Sequence, residues 1–436
     1  MRDTVFPISS LFFAIALLCI GYGLLMSLVG IRMQLFGSSA AITGIVNAGF
    51  FLGGVLSLIS ALKIISNVGH IRSFTVFAAT LTFASLAHTL TDSLAAWGLF
   101  RMLSGYSFYS LLLIIESWIN EKTGCDDRSR VLSIYTVVFY LAMTGGQLLL
   151  NIPDSSGFLL FILSAIFVVL SLIPIAMTKI MEPKVPEAKS ISIPRLYGIA
   201  ELAIVSSFAA GLLVGGFFTM APVYAKAMGL SNESISIFMS TALVGALISQ
   251  WPIGWISDRL GRKIAILSVS SIGGLGSCGL WILGHVEGFL FASAFMLGIS
   301  IFAIYPLSLA SGNDTTDEKV NAIEINRALL MTYGVGSFIS PVLIGFGMYF
   351  LGYGTMFMFF AIVCFSLALY AYTKSRVPFE ERSVYVTIPT ATSTILAEFD
   401  PRQDEAWVQE QKENIGEEEA WMAPVGESEK KSDIPA

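Results

Sequence analysis

Charged residues are scarce in this chain. Lys, Arg, Asp and Glu make up only 13% of its 436 residues, whereas hydrophobic residues make up 55%, and the mean hydropathy is +0.75. A soluble globular chain carries about 25% charged residues, so this composition excludes a soluble enzyme or a nucleic-acid-binding protein. It is typical of an all-α polytopic membrane protein, because an apolar helix crosses the bilayer with its backbone hydrogen bonds satisfied internally.

Histidine and cysteine are also rare. The three histidines, His70, His88 and His285, and the four cysteines are spread over separate parts of the sequence. Metal sites and nucleophile–base pairs need such side chains close together, so we expect no metal, no cofactor and no enzymatic activity. The sequence also lacks a Walker loop, which argues against an ATP-driven pump.

The apolar residues are grouped into twelve stretches, each long enough to span a bilayer. A connection at 178–197 contains three prolines and four basic residues and is predicted to be a flexible cytoplasmic linker. It separates an N-terminal half, 1–177, from a C-terminal half, 198–372, with six helices each. The predicted spans are 8–31, 41–63, 73–91, 94–119, 130–150, 157–177, 198–224, 233–256, 264–284, 287–310, 322–349 and 352–372.

Charge is distributed unevenly along the chain. Alternate loops hold most of the loop Lys and Arg, and the positive-inside rule then places both termini in the cytoplasm. Residues 380–436 carry 14 acidic and 5 basic side chains, a net charge of −9, which leaves +3 for residues 1–379 out of the total of −6. We therefore predict that 373–436 is an acidic, disordered cytoplasmic tail. The alternative is a tail that docks on the protein or regulates it.

A basic turn between the predicted spans 8 and 9 is the most distinctive motif. It reads Gly254-Trp-Ile-Ser-Asp-Arg-Leu-Gly-Arg-Lys263, with glycines that allow a tight reversal and basic groups that would face anionic headgroups. Val68-Gly-His-Ile-Arg72 stands at the corresponding place between spans 2 and 3, and Gly69 and Gly261 are 192 residues apart (261 minus 69). This spacing predicts two parallel six-helix pseudo-repeats with a substrate cavity between them near the midplane.

The basic turn resembles the cytoplasmic-loop signature of the major facilitator superfamily. The resemblance implies the twelve-helix major facilitator fold and a conformational latch, in which the acidic residue holds neighbouring helices in one state and releases them in another. The first repeat has Ser66 where the acid would stand, so the latch is expected to act asymmetrically. The matching residues are Gly254, Asp258, Arg259, Gly261, Arg262 and Lys263.

Four other stretches resemble the YcaD-like branch of bacterial major facilitators. They are Glu116-Ser-Trp-Ile-Asn120, Arg128-Ser-Arg-Val-Leu-Ser-Ile-Tyr135, Gln250-Trp-Pro-Ile-Gly254 and Tyr305-Pro-Leu-Ser308. The similarity covers about residues 8–372 and leaves out the tail. It implies a multi-pass protein of the bacterial inner (plasma) membrane, but it implies no particular substrate.

Arg101 and Glu116 are candidates for proton coupling, because a charge at the membrane centre costs about 2.5–3.5 kcal/mol on insertion scales. Arg101-x-x-x-Gly105 resembles the superfamily's helix-4 pattern, in which an arginine assists proton coupling; the alternative is an arginine that reaches the outer interface. Glu116 lies about 22 Å further along the same helix. We expect it to pair with Arg128 or Arg130, with a proton site as the alternative.

Other polar residues inside the spans complete the set of candidates. Glu324 and Arg327 are three residues apart and are predicted either to pair on one face of helix 11 or to face the cavity. The neutral polar side chains are candidates to line the cavity, with simple packing as the alternative. They are Asn47, Tyr106, Tyr109, Tyr135, Tyr140, Gln147, Gln250, Tyr305, Asn326 and Tyr333.

The sequence thus predicts a secondary active transporter that moves a small molecule by alternating access, coupled to protons. We expect it to act as a monomer in the lipid bilayer. Neutral, zwitterionic and amphipathic substrates all remain open, as does the direction of transport. The alternative is a non-transporting membrane sensor that signals through its acidic tail.

Overall fold

In the part of the chain that the structure describes, twelve helices follow one another in the order that the apolar stretches predict. The computed structural model describes residues 2–124, 127–154, 157–177, 198–284, 286–314, 322–375, 377, 378, 382, 385–390, 392, 393, 409 and 413. The helices are α1 (Arg2–Leu35), α2 (Ala40–Val68), α3 (His70–Ala87), α4 (Leu94–Lys122), α5 (Arg128–Leu148), α6 (Leu159–Leu170, continued by Leu172–Ala176), α7 (Glu201–Ala227), α8 (Asn232–Leu260), α9 (Arg262–Leu283), α10 (Glu287–Asn313), α11 (Ala322–Leu351) and α12 (Thr355–Thr373).

Eleven of the described helices are long and apolar enough to cross a membrane. α3 falls outside this set, since its first turn carries His70 and Arg72 and these polar groups lower its hydropathy. It nevertheless packs within the bundle against α4 and α6. The predicted third span therefore exists as a helix, although its composition is the least apolar of the twelve.

Equivalent positions in the two halves share their backbone geometry at a constant offset of 192 residues. Ser39 and Ser231 (231 minus 39) precede α2 and α8, and each side chain accepts a hydrogen bond from the backbone N–H three residues later. Gly69 and Gly261 end the same two helices with φ of 92° and 93°, in the region that favours glycine. The predicted fold of two six-helix pseudo-repeats is confirmed.

Glycine allows corresponding helices in each half to pack with their backbones in contact. In the first half, a Cβ added to Gly105 of α4 would overlap the carbonyl oxygen of Phe50 in α2. In the second half, a Cβ added to Gly298 of α10 would overlap the carbonyl oxygen of Ala242 in α8. Small residues of this kind bring membrane helices close enough for van der Waals packing to hold them.

The bundle has two distinct ends. We call the end with the turns at Gly69 and Gly261 the basic end, because Arg72, Lys122 and Lys263 lie beside these turns. The other end, with the loops at 36–39, 228–231 and 352–354, is called the opposite end.

The two halves meet directly at the opposite end. Gly44 of α2 lies against the Pro341 carbonyl of α11, so closely that an added Cβ would overlap it. Asn47 Nδ2 donates to the Thr219 carbonyl of α7 at 3.5 Å, and the Ser236 hydroxyl of α8 donates to the Gln147 carbonyl of α5 at 2.9 Å. The opposite end is therefore closed.

The predicted linker at 178–197 lies outside the described residues. The predicted disordered tail, 373–436, lies partly outside them as well. Lys374, Arg382 and the described residues of 385–393 contact the bundle, and this differs from a fully solvated tail. Lys374, next to the end of α12, forms an ion pair with Glu201 of α7, and this carboxylate raises the pKa of the Lys374 ammonium.

We expect Gly105→Ala to lower the midpoint of thermal unfolding of the detergent-purified protein. The added methyl must push α4 away from the Phe50 carbonyl, and overpacking of this kind costs about 1–3 kcal/mol. Gly98→Ala is the matched control in the same helix, because nothing lies within 4 Å of its added Cβ and alanine favours a helix over glycine. Equal midpoints for the two variants would contradict the proposed packing.

Candidate functional site

The Glu116 carboxylate lies inside the bundle and has no exposed surface. Its Oε1 accepts a hydrogen bond from the Tyr135 hydroxyl of α5 at 2.6 Å. Its Oε2 accepts from the backbone N–H of Ser393 at 2.9 Å, the Ser393 hydroxyl at 2.5 Å and the Thr392 hydroxyl at 3.5 Å. Among the described residues no cation contacts it, so these hydrogen bonds offset the loss of water around the carboxyl group.

The expected ion pair between Glu116 and Arg128 or Arg130 is wrong. Both arginines lie in the first turn of α5, and Arg130 is exposed. Tyr135 lies five residues beyond Arg130, about 7.5 Å further along the helix, and it is this side chain that reaches the carboxylate. Glu116 is too deep for the arginines at the basic end.

Residues 385–393, which follow α12, run between the two halves towards Glu116. We call them the tail segment; residues 385–390, 392 and 393 are described. The Tyr385 backbone N–H donates to Asp258 Oδ1 at 2.8 Å, and the Tyr385 hydroxyl donates to Gln250 Oε1 at 3.1 Å. These contacts anchor the start of the segment on α8.

The middle of the tail segment contacts α5. The Thr136 hydroxyl donates to the Thr387 carbonyl at 3.3 Å, and the Ser133 and Thr387 hydroxyl oxygens are 3.4 Å apart. Val386 and Ile388 are 4% and 2% exposed. Burial of each such apolar side chain contributes about 1.5–3 kcal/mol, so this part of the tail is packed as protein interior.

A groove of about 460 Å³ opens between α5 and α8 beside the start of the tail segment. Ser133 and Thr136 form one wall, Gln250 and Asp258 form the other, and Tyr385 lies across it. Gly254 also faces the groove, and a Cβ added there would come within 2.7 Å of the Tyr385 ring. The glycine of the basic turn thus makes room for the tail.

Asp258 belongs to a buried cluster of charges at the basic end. Arg262 Nη1 donates to Asp258 Oδ1 at 2.7 Å and to the Ser257 hydroxyl at 2.5 Å. Arg262 Nε lies 3.3 Å from Asp314 Oδ2, and the side chains of Arg262 and Asp314 are 2% and 1% exposed. Because Asp314 follows the end of α10, Arg262 joins the ends of α8, α9 and α10.

The remaining residues of the basic turn also have definite contacts. The Arg259 guanidinium lies 4.8 Å from the Trp255 ring centre, and the Lys263 ammonium lies 5.5 Å from that of Tyr372. Arg382 Nη1 donates to the carbonyls of Asp258 and Arg259 at 3.3 and 3.0 Å. A basic side chain thereby satisfies backbone carbonyls at the end of α8, where a cation is favourable.

Arg101 is completely buried and does not reach the outer interface. Its Nη2 donates to the Met26 sulfur at 3.3 Å, and its guanidinium lies 5.0 Å from the Phe50 ring centre. Among the described residues, Nε and Nη1 of Arg101 have no hydrogen-bond partner. A cationic group with donors to spare therefore lies in the first half, about 22 Å from Glu116 along α4.

Several predicted cavity residues form the aromatic interior near these charged groups. The Tyr305 and Tyr333 rings are 4.8 Å apart, and Tyr140 contacts Phe302 of α10 across the halves at 5.6 Å. Tyr109 packs its ring against Gly54. Together with Tyr135 and Gln250, which contact Glu116 and the tail segment, these residues lie between the halves or face their boundary.

Other predicted cavity residues are used for contacts between helices. Gln147 Nε2 donates to the Gly23 carbonyl at 2.8 Å and its Oε1 accepts from Ser27, so it joins α5 to α1. The Tyr106 and Ser60 hydroxyls lie 2.8 Å apart within the first half. Asn326 Oδ1 accepts from Asn313 at 3.2 Å, and Asn47 belongs to the closed opposite end. The polar groups of Gln147, Tyr106 and Asn326 are thus satisfied by neighbours, whereas Asn47 Oδ1 has no hydrogen-bond partner among the described residues.

The predicted pair between Glu324 and Arg327 is not formed. Arg327 is 6% exposed and has other partners, while Glu324 is half-buried near the start of α11. Spacing i, i+3 brings two side chains to one helix face, but it does not ensure that they form an ion pair. The structure does not bring either of them to Glu116.

Three contributors to the site were missed by the sequence analysis. Asp314 stands at the start of a polar connection and gives no signal of burial. Tyr22 is one aromatic among several in an apolar helix, although its ring stacks on that of Phe108 at 3.7 Å. The tail segment did leave a signal. It is a run of nine uncharged residues with five hydroxyl groups inside an acidic tail.

Within the described residues, no group of three or more His, Cys, Asp or Glu side chains is placed to hold a metal. Residues 11–328 match the family profile of the Major Facilitator Superfamily, and this range covers more than half of the chain. The chain belongs to the major facilitator superfamily. It is therefore a multi-pass membrane transporter.

Sequence relatives confirm the YcaD-like branch of this superfamily. The uncharacterized MFS-type transporters YcaD of Salmonella arizonae and Salmonella typhimurium are each 25% identical to this facilitator over 341 residues, which is 77% of this chain and 87% of theirs.

Solved transporters share the fold. The nucleoside transporter NupG has a TM-score of 0.69 at 13% identity, covering 85% of this chain and 100% of its own. A bacterial homologue of the human lysosomal transporter Spinster, in an inward-facing and unoccupied conformation, has a TM-score of 0.68 at 12% identity, covering 88% and 99%. At these identities the likeness shows the fold alone.

We expect Asp314→Asn to lower the stability of this facilitator by about 1–3 kcal/mol. The change keeps the side chain's size but removes a buried charge from Arg262, and the loss is smaller than for an isolated buried pair because Asp258 still faces Arg262. The midpoint of thermal unfolding measures the effect. Asp92→Asn at an exposed site is the control and should stay within about 0.5 kcal/mol of the wild type; equal values for both variants would refute the bridging role.

Proposed function

We propose that this facilitator is a secondary active transporter that moves a small molecule by alternating access and couples the movement to protons. The observation that carries the proposal is the Glu116 carboxylate, which is fully buried and is held by hydroxyl and amide donors, with no cation among its described contacts. A carboxyl group in such a place can take up and release a proton as its surroundings change.

Alternating access is supported by the difference between the two ends. At the opposite end, helices of the two halves pack directly, with Gly44 against Pro341 and Asn47 against Thr219. At the basic end, the tail segment lies between the halves and bridges α4, α5 and α8. Rocking the halves about the midplane would open one end while closing the other.

Arg101 and Glu116 provide two separate polar sites along α4. They are about 22 Å apart, so proton uptake at Glu116 and contact of Arg101 with a substrate can occur at different depths. The unpaired Nε and Nη1 donors of Arg101 suit an acceptor group on the substrate. Glu116 suits a substrate with hydroxyl or N–H donors, since hydroxyl groups and a backbone N–H already surround it.

The orientation and organisation follow from the same proposal. The basic end faces the cytoplasm of a bacterial inner membrane, since the positive-inside rule favours Lys and Arg on that side. Residues 1–177 and 198–372 act as the two moving halves of a monomer, with 178–197 as their linker. Asp258, Arg262 and Asp314 form the latch that opens as the second half changes state.

Glu116→Gln is expected to abolish coupling while leaving the fold intact, because glutamine keeps the shape but cannot exchange a proton. Substrate-dependent proton movement is measured in proteoliposomes that contain a pH-sensitive dye. They are exposed to a panel of nucleosides, sugars, amino acids and organic amines. We expect proton movement in the Glu116→Gln variant to be at least about tenfold slower than in the wild type, the factor that ~1.4 kcal/mol produces. Glu121→Gln, exposed near the end of the same helix, is the control. Unchanged proton movement in the Glu116 variant would rule out its role.

Asp258→Asn is expected to slow transport several-fold without loss of membrane insertion, because the charge that binds Arg262 disappears while the volume is kept. Substrate flux per inserted protein, measured in the same vesicles, checks this. A variant that transports at the wild-type rate would show that the latch does not depend on Asp258.

A further inference from the structure

The tail segment has a composition of its own. Residues 385–393 read Tyr-Val-Thr-Ile-Pro-Thr-Ala-Thr-Ser and carry no charge, whereas residues 398–436 beyond them are rich in Asp and Glu. Five of the nine side chains bear a hydroxyl group. An uncharged segment with many small donors can enter a membrane-embedded cavity at far lower cost than the acidic residues that follow it.

The bundle provides a matching site for this segment. Tyr385 is held by Asp258 and Gln250 of α8, in the second half. At the other end of the segment, Ser393 donates its N–H and its hydroxyl to Glu116 of α4, in the first half. Val386, Ile388, Thr390, Thr392 and Ser393 are at most 4% exposed.

The middle of the segment follows α5. Thr387 contacts Ser133 and Thr136, and Thr390 lies beside the Tyr140 hydroxyl. Pro389 has no N–H to satisfy, so it fits an extended stretch that forms no ladder with a neighbouring strand. The described residues of the segment therefore have polar partners on α4, α5 and α8.

We propose that the cavity at the basic end is a binding site for an extended, hydroxyl-rich peptide, and that its occupant is residues 385–393 of the same chain, which hold the transporter shut until they leave. The inference rests on the proposed function, because it assigns regulation to the same cavity. A covalently attached ligand reaches millimolar effective concentration over a short tether, so the segment needs only modest affinity to stay bound.

Occupancy blocks transport in two ways. The segment covers Glu116, so that a substrate or a proton carrier cannot reach the carboxylate from the basic end. It also binds α8 and α4 at once, and rocking of the halves would have to break one of these sets of hydrogen bonds. Arg382, bound to the end of α8, stays as the anchor about which residues 385–393 swing out.

The test uses the full chain with its four native cysteines replaced by alanine and a single reporter cysteine introduced. Thr136→Cys reports on the cavity, because Thr136 is 2% exposed beneath Thr387. Ser393→Asp is then added to release the segment, since its carboxylate would lie against Glu116. Ser393→Asn is the matched control, because it has the same size and can still donate to Glu116.

We expect N-ethylmaleimide to label Thr136→Cys at least about tenfold faster with Ser393→Asp than with Ser393→Asn. Equal rates would overturn the proposal that the segment occupies the cavity. Asn47→Cys, placed at the closed opposite end, should also label faster with Ser393→Asp, because released halves can rock. Faster labelling at 136 without any change at 47 would overturn the proposal that the segment holds the transporter shut.

A second pair of variants does not depend on the added charge. Ser133→Cys with Thr387→Cys should form a disulfide spontaneously, because the hydroxyl oxygens they replace are 3.4 Å apart. Ser66→Cys at the exposed Gly69 turn, combined with Thr387→Cys, should keep both thiols free. If both pairs keep their free thiols, the segment is not docked against α5 and the proposal is wrong. These readouts use no substrate, so they succeed or fail independently of the proton-transport assay.

Discussion

A carboxyl group buried in an apolar bundle, with no cation among its described contacts, is the constraint on which the interior depends. Glu116 cannot stay there unless hydrogen-bond donors replace its lost water. Tyr135 provides one, and the remaining described donors come from Thr392 and Ser393, which lie beyond the last helix. The need to satisfy one side chain of α4 therefore couples the first half of the transporter to a segment anchored on the second half.

The rigid parts of the fold make this coupling effective. Glycines such as Gly105 and Gly298 bring helices together within each half, as the proposed movement of each half as a unit requires. Arg262 fastens the ends of α8, α9 and α10 through Asp258 and Asp314. The halves therefore touch directly at the opposite end and through a detachable segment at the basic end, and a modest change in the segment's affinity can shift the balance between conformations.

Periodicity and spacing were enough to predict the twelve helices and the repeat, because apolar length and the Gly69–Gly261 offset are properties of the chain itself. The depth of Glu116 could be predicted by counting residues along α4. Its hydrogen-bond partner could not, because the packing of α4 against α5 brings Tyr135 to the carboxylate. Gln147 and Asn326 looked like cavity residues because composition does not reveal which neighbour will satisfy an amide. The average acidity of the tail concealed the uncharged run that docks.

Electron-spin distance measurements at both ends of the bundle test whether the contact between Ser393 and Glu116 holds the halves in one arrangement. Spin labels at the exposed pairs Leu90 with Leu351, at the opposite end, and Glu121 with Thr373, at the basic end, report on the two ends separately. In the Ser393→Asp variant, relative to Ser393→Asn, we expect a new, longer distance between the labels at the opposite end and a shorter distance between those at the basic end. Identical distance distributions in the two variants would contradict it.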